Sequence, residues 1–143
     1  MTGIEPAAIG ARWRLDLTGG PALVRLDRAA LDAQPQHTAT LPIACVEGWS
    51  TAQTWTGVRL RDLAALAGVP APASALVRSL DTGPFAQATL ASNQVLHPDA
   101  LLALQVNGAP LSPDHGHPAR VIVPAVPGVH NTKWVNAIEF RSA

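Results

Sequence analysis

One cysteine, Cys45, serves 143 residues, with no tyrosine, one methionine and two phenylalanines. A lone thiol cannot close an internal disulfide, so a disulfide-stapled fold is excluded, and oxidising and reducing compartments both stay open. Neither sign of charge is in excess. Lys plus Arg and Asp plus Glu stand at 10 each, so nothing in the balance favours nucleic acid, an anionic membrane surface or a polyanion as partner. Long apolar runs are missing too: no stretch approaches the ~18 residues of a membrane span. Met1–Gly10 lacks the basic patch and apolar core of a signal peptide, so the chain as given reads as soluble. With 48% hydrophobic and 14% charged residues, the composition excludes disorder. The length suits a single domain, residues 1–143, with one core over about residues 12–141. Thirteen prolines and 11 glycines predict many turns between short strands, and no internal repeat or linker interrupts them.

Taken in order, Arg12–Leu17 alternates, with Trp13, Leu15 and Leu17 on one face, and predicts a half-buried strand. Gly19-Gly20-Pro21 turns the chain, Leu23–Leu26 pairs back, and Asp27 caps a short helix from Arg28 to about Ala33. Thr38–Ala44 is a strand whose Pro42 marks it as an edge. Leu60, Leu63, Ala64 and Ala67 share a helical face, with Gly68 and Pro70 as stop signals. Strands are predicted at Ala75–Leu80, Phe85–Leu90, Leu101–Val106, Val121–Val123 and Lys133–Phe140, with a helical turn at Ser92–His97 and a hairpin turn at Asn107-Gly108. The whole predicts a strand-rich α+β fold.

Two stretches carry chemistry. Leu41 to Trp55 delivers Cys45 at the end of an apolar strand, just before Gly48 allows a turn. A thiol at a sheet's rim can act as nucleophile or as a soft ligand for a transition metal. An unpaired cysteine is equally at home as a small buried apolar group, so the residues alone leave its role open. In the second stretch His115, Arg120, His130, Asn131, Thr132 and Lys133 crowd around two strands. Arg120 and Lys133 suit a phosphate, and the cluster points to an anionic ligand. A solvated loop between charged ends is the competing reading. His115-Gly-His117 has spacing for a metal, but no second cysteine exists to complete a zinc site.

Five segments together, Cys45-Val-Glu-Gly-Trp-Ser, Trp55-Thr-Gly-Val-Arg-Leu, Leu104-Gln-Val-Asn-Gly-Ala-Pro-Leu, His115-Gly-His-Pro-Ala-Arg120 and Lys133-Trp-Val, resemble the molybdopterin-binding domain of the sulfite oxidase family. The similarity covers about Trp13 to Phe140 in the right order. The resemblance implies a strand-rich mixed-sheet fold with short helices. It also implies a Mo-molybdopterin cofactor whose metal is held by the pterin dithiolene and by Cys45, and cofactor contacts from His115, Arg120, Asn131, Thr132 and Lys133, with Ser79 as a further hydroxyl contact. The implied activity is that of a molybdopterin-dependent oxidoreductase, a two-electron redox enzyme with oxygen-atom transfer to or from a small oxoanion or sulfoxide-like molecule. An electron-transfer partner, a cytochrome or a quinone-linked membrane subunit, would complete the circuit.

Departures from the family pattern shape further expectations. Sulfite oxidases proper bind substrate with a tyrosine and extra arginines, and the missing tyrosine argues against sulfite. Relatives carry cofactor contacts well ahead of the cysteine strand, and a dimerisation domain after the last strand. Both are expected to be absent here, so that the chain folds yet holds the cofactor weakly. Many bacterial relatives look like this domain behind a membrane segment, which implies an extracytoplasmic place for it, the cytoplasm being the alternative. Any contact with the membrane would then run through a segment outside this chain. Two other function classes stay open: a truncated or degenerate domain that folds without cofactor as an interaction module, and an unrelated metal or hydrolytic enzyme built on His115, His117 and His130.

Overall fold

The computed structural model describes residues 13–44, 50–79, 87–111, 119–123 and 135–142. Alternation around Leu15 produces the expected half-buried strand. In β1 (Leu15–Thr18) the leucines at 15 and 17 are fully buried. Asp16 faces outward and accepts two hydrogen bonds from Arg25, at 2.7 and 3.1 Å, across to β2 (Val24–Leu26). Asp27 accepts from the Ala30 amide at 2.8 Å and starts helix α1 (Arg28–Asp32), as its side-chain chemistry predicts.

After β3 (His37–Ala44) comes a strand not foreseen in the sequence, β4 (Ser50–Arg59). Ser-Thr-Ala-Gln-Thr-Trp-Thr-Gly-Val-Arg shows almost no apolar alternation. The signal it does carry is its threonines, β-branched residues that suit a pleated surface. Thr54 and Thr56 share hydrogen bonds with Thr40 and Thr38 across β3 at 3.1 and 3.0 Å. The helix with the Leu60/Leu63/Ala64 face follows as α2 (Leu60–Leu66), and these three residues are buried. Then come β5 (Ser74–Ser79), β6 (Gln87–Ala91), the single turn α3 (Ser92–Val95), β7 (Leu101–Val106), β8 (Ala109–Pro110), β9 (Arg120–Ile122) and β10 (Val135–Arg141). The Asn107-Gly108 signal gives a tight turn between β7 and β8, both residues at positive φ, 52° and 83°, as a primed hairpin turn demands.

The described residues form two five-stranded sheets. The first has order β2-β1-β10-β5-β6 and is mixed, because β10 lies parallel to β1 and antiparallel to β5. The second is antiparallel, with order β3-β4-β7-β8 and β9 also on β7. Within the described residues β3 pairs only with β4, the edge position that Pro42 predicts. The main core lies between the sheets and takes in α2: Leu15, Leu17, Val77, Ile138 and Phe140 meet Val58, Leu60, Leu63, Leu102, Leu104 and Val121. A second, smaller cluster of Ala39, Trp55, Leu101, Ala103, Leu111 and Ile122 covers the opposite face of the second sheet. Among the described residues no helix is long and apolar enough to cross a membrane.

Candidate functional site

Arg120 opens β9, and alternation fixes where it points. Val121 enters the main core while Ile122 joins the cluster on the outer face of the second sheet, so Arg120 shares that outer face. It is the buried charged residue of the described chain, at 5% exposure. Desolvation pushes its pKa down from the ordinary arginine range to about 10, which leaves the guanidinium charged at neutral pH. Its Cζ sits 5.1 Å from the centre of the Trp55 ring, within the ~6 Å over which a ring face attracts a cation.

The surroundings of Arg120 are small. Across the sheet it stands in one row with Ala103, Gly57 and His37. Gly57 sits where β4 and β7 shift register, and a Cβ there would come within 2.0 Å of the Leu102 carbonyl oxygen. Only glycine tolerates so close an approach of one backbone to another. At the far end of the row Arg59 Nη2 donates to His37 Nδ1 at 2.8 Å. The other ring nitrogen, Nε2, therefore carries the proton and donates to Asp99 at 2.9 Å. This triad ties β3, β4 and the entry to β7 together, although its members lie far apart in the chain and no local pattern marks them.

Ser79 ends β5 and stands opposite Val135, the first residue of β10. The Val135 amide donates to the Ala119 carbonyl at 3.0 Å, and its own carbonyl accepts from Trp13 Nε1 at 3.0 Å. One residue thus fastens the end of β5 to the start of β9. In this way the structure brings together the chain at Ser79, at Arg120 and just after Lys133, three of the places singled out from sequence. The strands on either side of residues 45–49 belong to the same sheet as Arg120: β3 runs from the His37 row to Ala44, paired there with Ser50 of β4. Cys45, His115, Asn131, Thr132 and Lys133, like His117 and His130, lie outside the described residues. Among the described residues no group of histidine, cysteine and acidic side chains could hold a metal ion.

A buried guanidinium at the mouth of a small-residue row fits a desolvated anion such as a phosphate, the group a pterin cofactor presents. The family model described as oxidoreductase molybdopterin binding domain matches residues 3–143. Mitochondrial sulfite oxidase of Mus musculus is 32% identical over 91% of this chain and 29% of its own. The uncharacterized oxidoreductase YuiH of Bacillus subtilis is 32% identical over 90% of this chain and 65% of its own. The crystal structure of the sulfane dehydrogenase SoxCD from Paracoccus pantotrophus superposes with a TM-score of 0.84 at 24% identity, covering 93% of this chain and 39% of that one. The likeness establishes the strand-rich mixed-sheet fold. The chain spans about a third of the sulfite oxidase and about two thirds of YuiH.

Proposed function

Since the chain belongs to the oxidoreductase molybdopterin-binding domains of the sulfite oxidase family, we propose that it holds a molybdenum–molybdopterin cofactor and uses it on a small oxoanion or sulfoxide-like substrate. The buried Arg120 on the outer face of the second sheet carries this reading. When bound, the cofactor supplies two-electron redox with oxygen-atom transfer. The protein's part is to bind, orient and tune. Arg120 and Lys133 would neutralise the cofactor's phosphate, each through charge-assisted hydrogen bonds. His115, Asn131, Thr132 and Ser79 would add neutral donors and acceptors that fix its orientation. Cys45 would give the metal a thiolate, a soft donor that lowers its potential. Electrons would leave through a partner protein such as a cytochrome or a quinone-linked membrane subunit, and an extracytoplasmic setting fits that arrangement.

The test is to make the full chain in a host that synthesises molybdopterin and to measure bound metal and pterin. Stoichiometric molybdenum and pterin is the expected result. A folded protein free of both would show a structural module instead, and zinc in their place would point to the histidines.

A further inference from the structure

Trp55 is 4% exposed, and its Nε1 is buried without a hydrogen-bond partner among the described residues. A buried N–H left unmade lowers stability, and phenylalanine would fill much of the same space without that loss. What phenylalanine supplies less well is the ring face, since indole attracts a cation most strongly of the aromatic rings. The cation is there: the Arg120 guanidinium carbon stands over the indole, 5.1 Å from its centroid. Arg120 is on β9 and Trp55 on β4, with β7 between them. The arginine side chain therefore crosses β7, and Ala103 and Gly57, its neighbours in the row, are small enough to let it pass.

We propose that Trp55 is a positioning residue for Arg120, holding the guanidinium by its face so that the N–H groups around its edge are presented, already oriented, to the anionic end of the cofactor. This rests on the cofactor reading above. A guanidinium is planar and its donors lie in that plane, so an aromatic face can fix it without using up the edge that grips a phosphate. Pre-orientation also removes the loss of side-chain freedom that binding would otherwise exact.

The experiment compares Trp55→Phe, Trp55→Leu, Arg120→Ala and both double variants, all in the full chain made in a molybdopterin-producing host. Three quantities are read: pterin per chain, the thermal midpoint of the ligand-free protein, and the resonance of the Arg120 Nε–H, which the indole ring current displaces. The ligand-free Trp55→Phe protein is expected to be as stable as the parent or more so, yet to retain several-fold less pterin, and Trp55→Leu about tenfold less. The Arg120 resonance should lose its ring-current displacement in Trp55→Leu. In the Arg120→Ala background neither change at Trp55 should lower pterin further. Parental pterin retention by both single variants overturns the proposal, as does a loss that merely follows the thermal midpoint or persists without Arg120. If Arg120→Ala itself keeps full pterin, the anion site is misplaced and the role of Trp55 falls with it. Pterin lost by Arg120→Ala and kept by both Trp55 variants sinks the positioning role alone.

Discussion

Arg120 carries a charge where water does not reach, and that sets a pH dependence. Its pKa in the folded chain, about 10, lies well below that of an exposed arginine, so the unfolded chain keeps the proton to higher pH than the folded one. The destabilising contribution is therefore fully present below about 10 and is relieved as pH climbs from there toward the ordinary arginine range. In ligand-free protein, the stability of the parent relative to Arg120→Met should rise over that window, read from denaturant midpoints. No tyrosine is present to titrate alongside it. With cofactor bound the same charge becomes an asset. Arg120→Ala and Lys133→Ala should each weaken retention by ~1.5–3 kcal/mol, the value of a hydrogen bond to a charged group, measured as pterin lost on dialysis. Lys133 is also the sole lysine, so an amine-selective reagent followed by intact-mass measurement should show slower labelling in cofactor-loaded protein. At Cys45, replacement by serine should abolish molybdenum-dependent turnover while the circular dichroism spectrum stays unchanged, because an alcohol is a poor donor to the metal and nearly the same size.

At the scale of elements, local chemistry was legible and distant chemistry was not. Asp27 caps α1 and Asn107-Gly108 turns β7 into β8 because a few neighbouring atoms decide each outcome. Apart from the first strand, which starts three residues later than Arg12, the predicted strand and helix spans land within a residue or two of those observed wherever the chain is described. What stayed hidden depends on residues far apart in sequence: the Gly57 approach to Leu102, the His37–Asp99–Arg59 triad, and the indole of Trp55 beneath Arg120. The segment holding Trp55 is one of the family-like motifs, but nothing local reveals that its ring meets a cation on another strand. Gly57 gives the sharpest test at this scale. A Cβ there meets backbone, which cannot swing aside as a side chain would, so Gly57→Val should destabilise the fold by at least the ~1–3 kcal/mol of an overpacked core. It should also shift the row that ends in Arg120. Thermal melting and pterin content should fall together in that variant, in contrast to Trp55→Phe.

For the whole molecule, the order of strands in the first sheet governs how the chain can come into being. β10 is the last of the described strands, yet it lies in the middle, between β1 and β5. Until it arrives, β1 with β2 and β5 with β6 are separate hairpins, each with an open edge and an apolar face uncovered. As the ribosome delivers the chain, the first sheet therefore stays open until Val135–Arg141 has emerged. Nascent chains arrested with residue 134 as their last exposed position should be cut rapidly by added protease, and chains arrested with residue 143 well clear of the exit should resist it. The cofactor would then meet a finished first sheet only once synthesis has passed β10, so its insertion belongs after that closing step rather than before it.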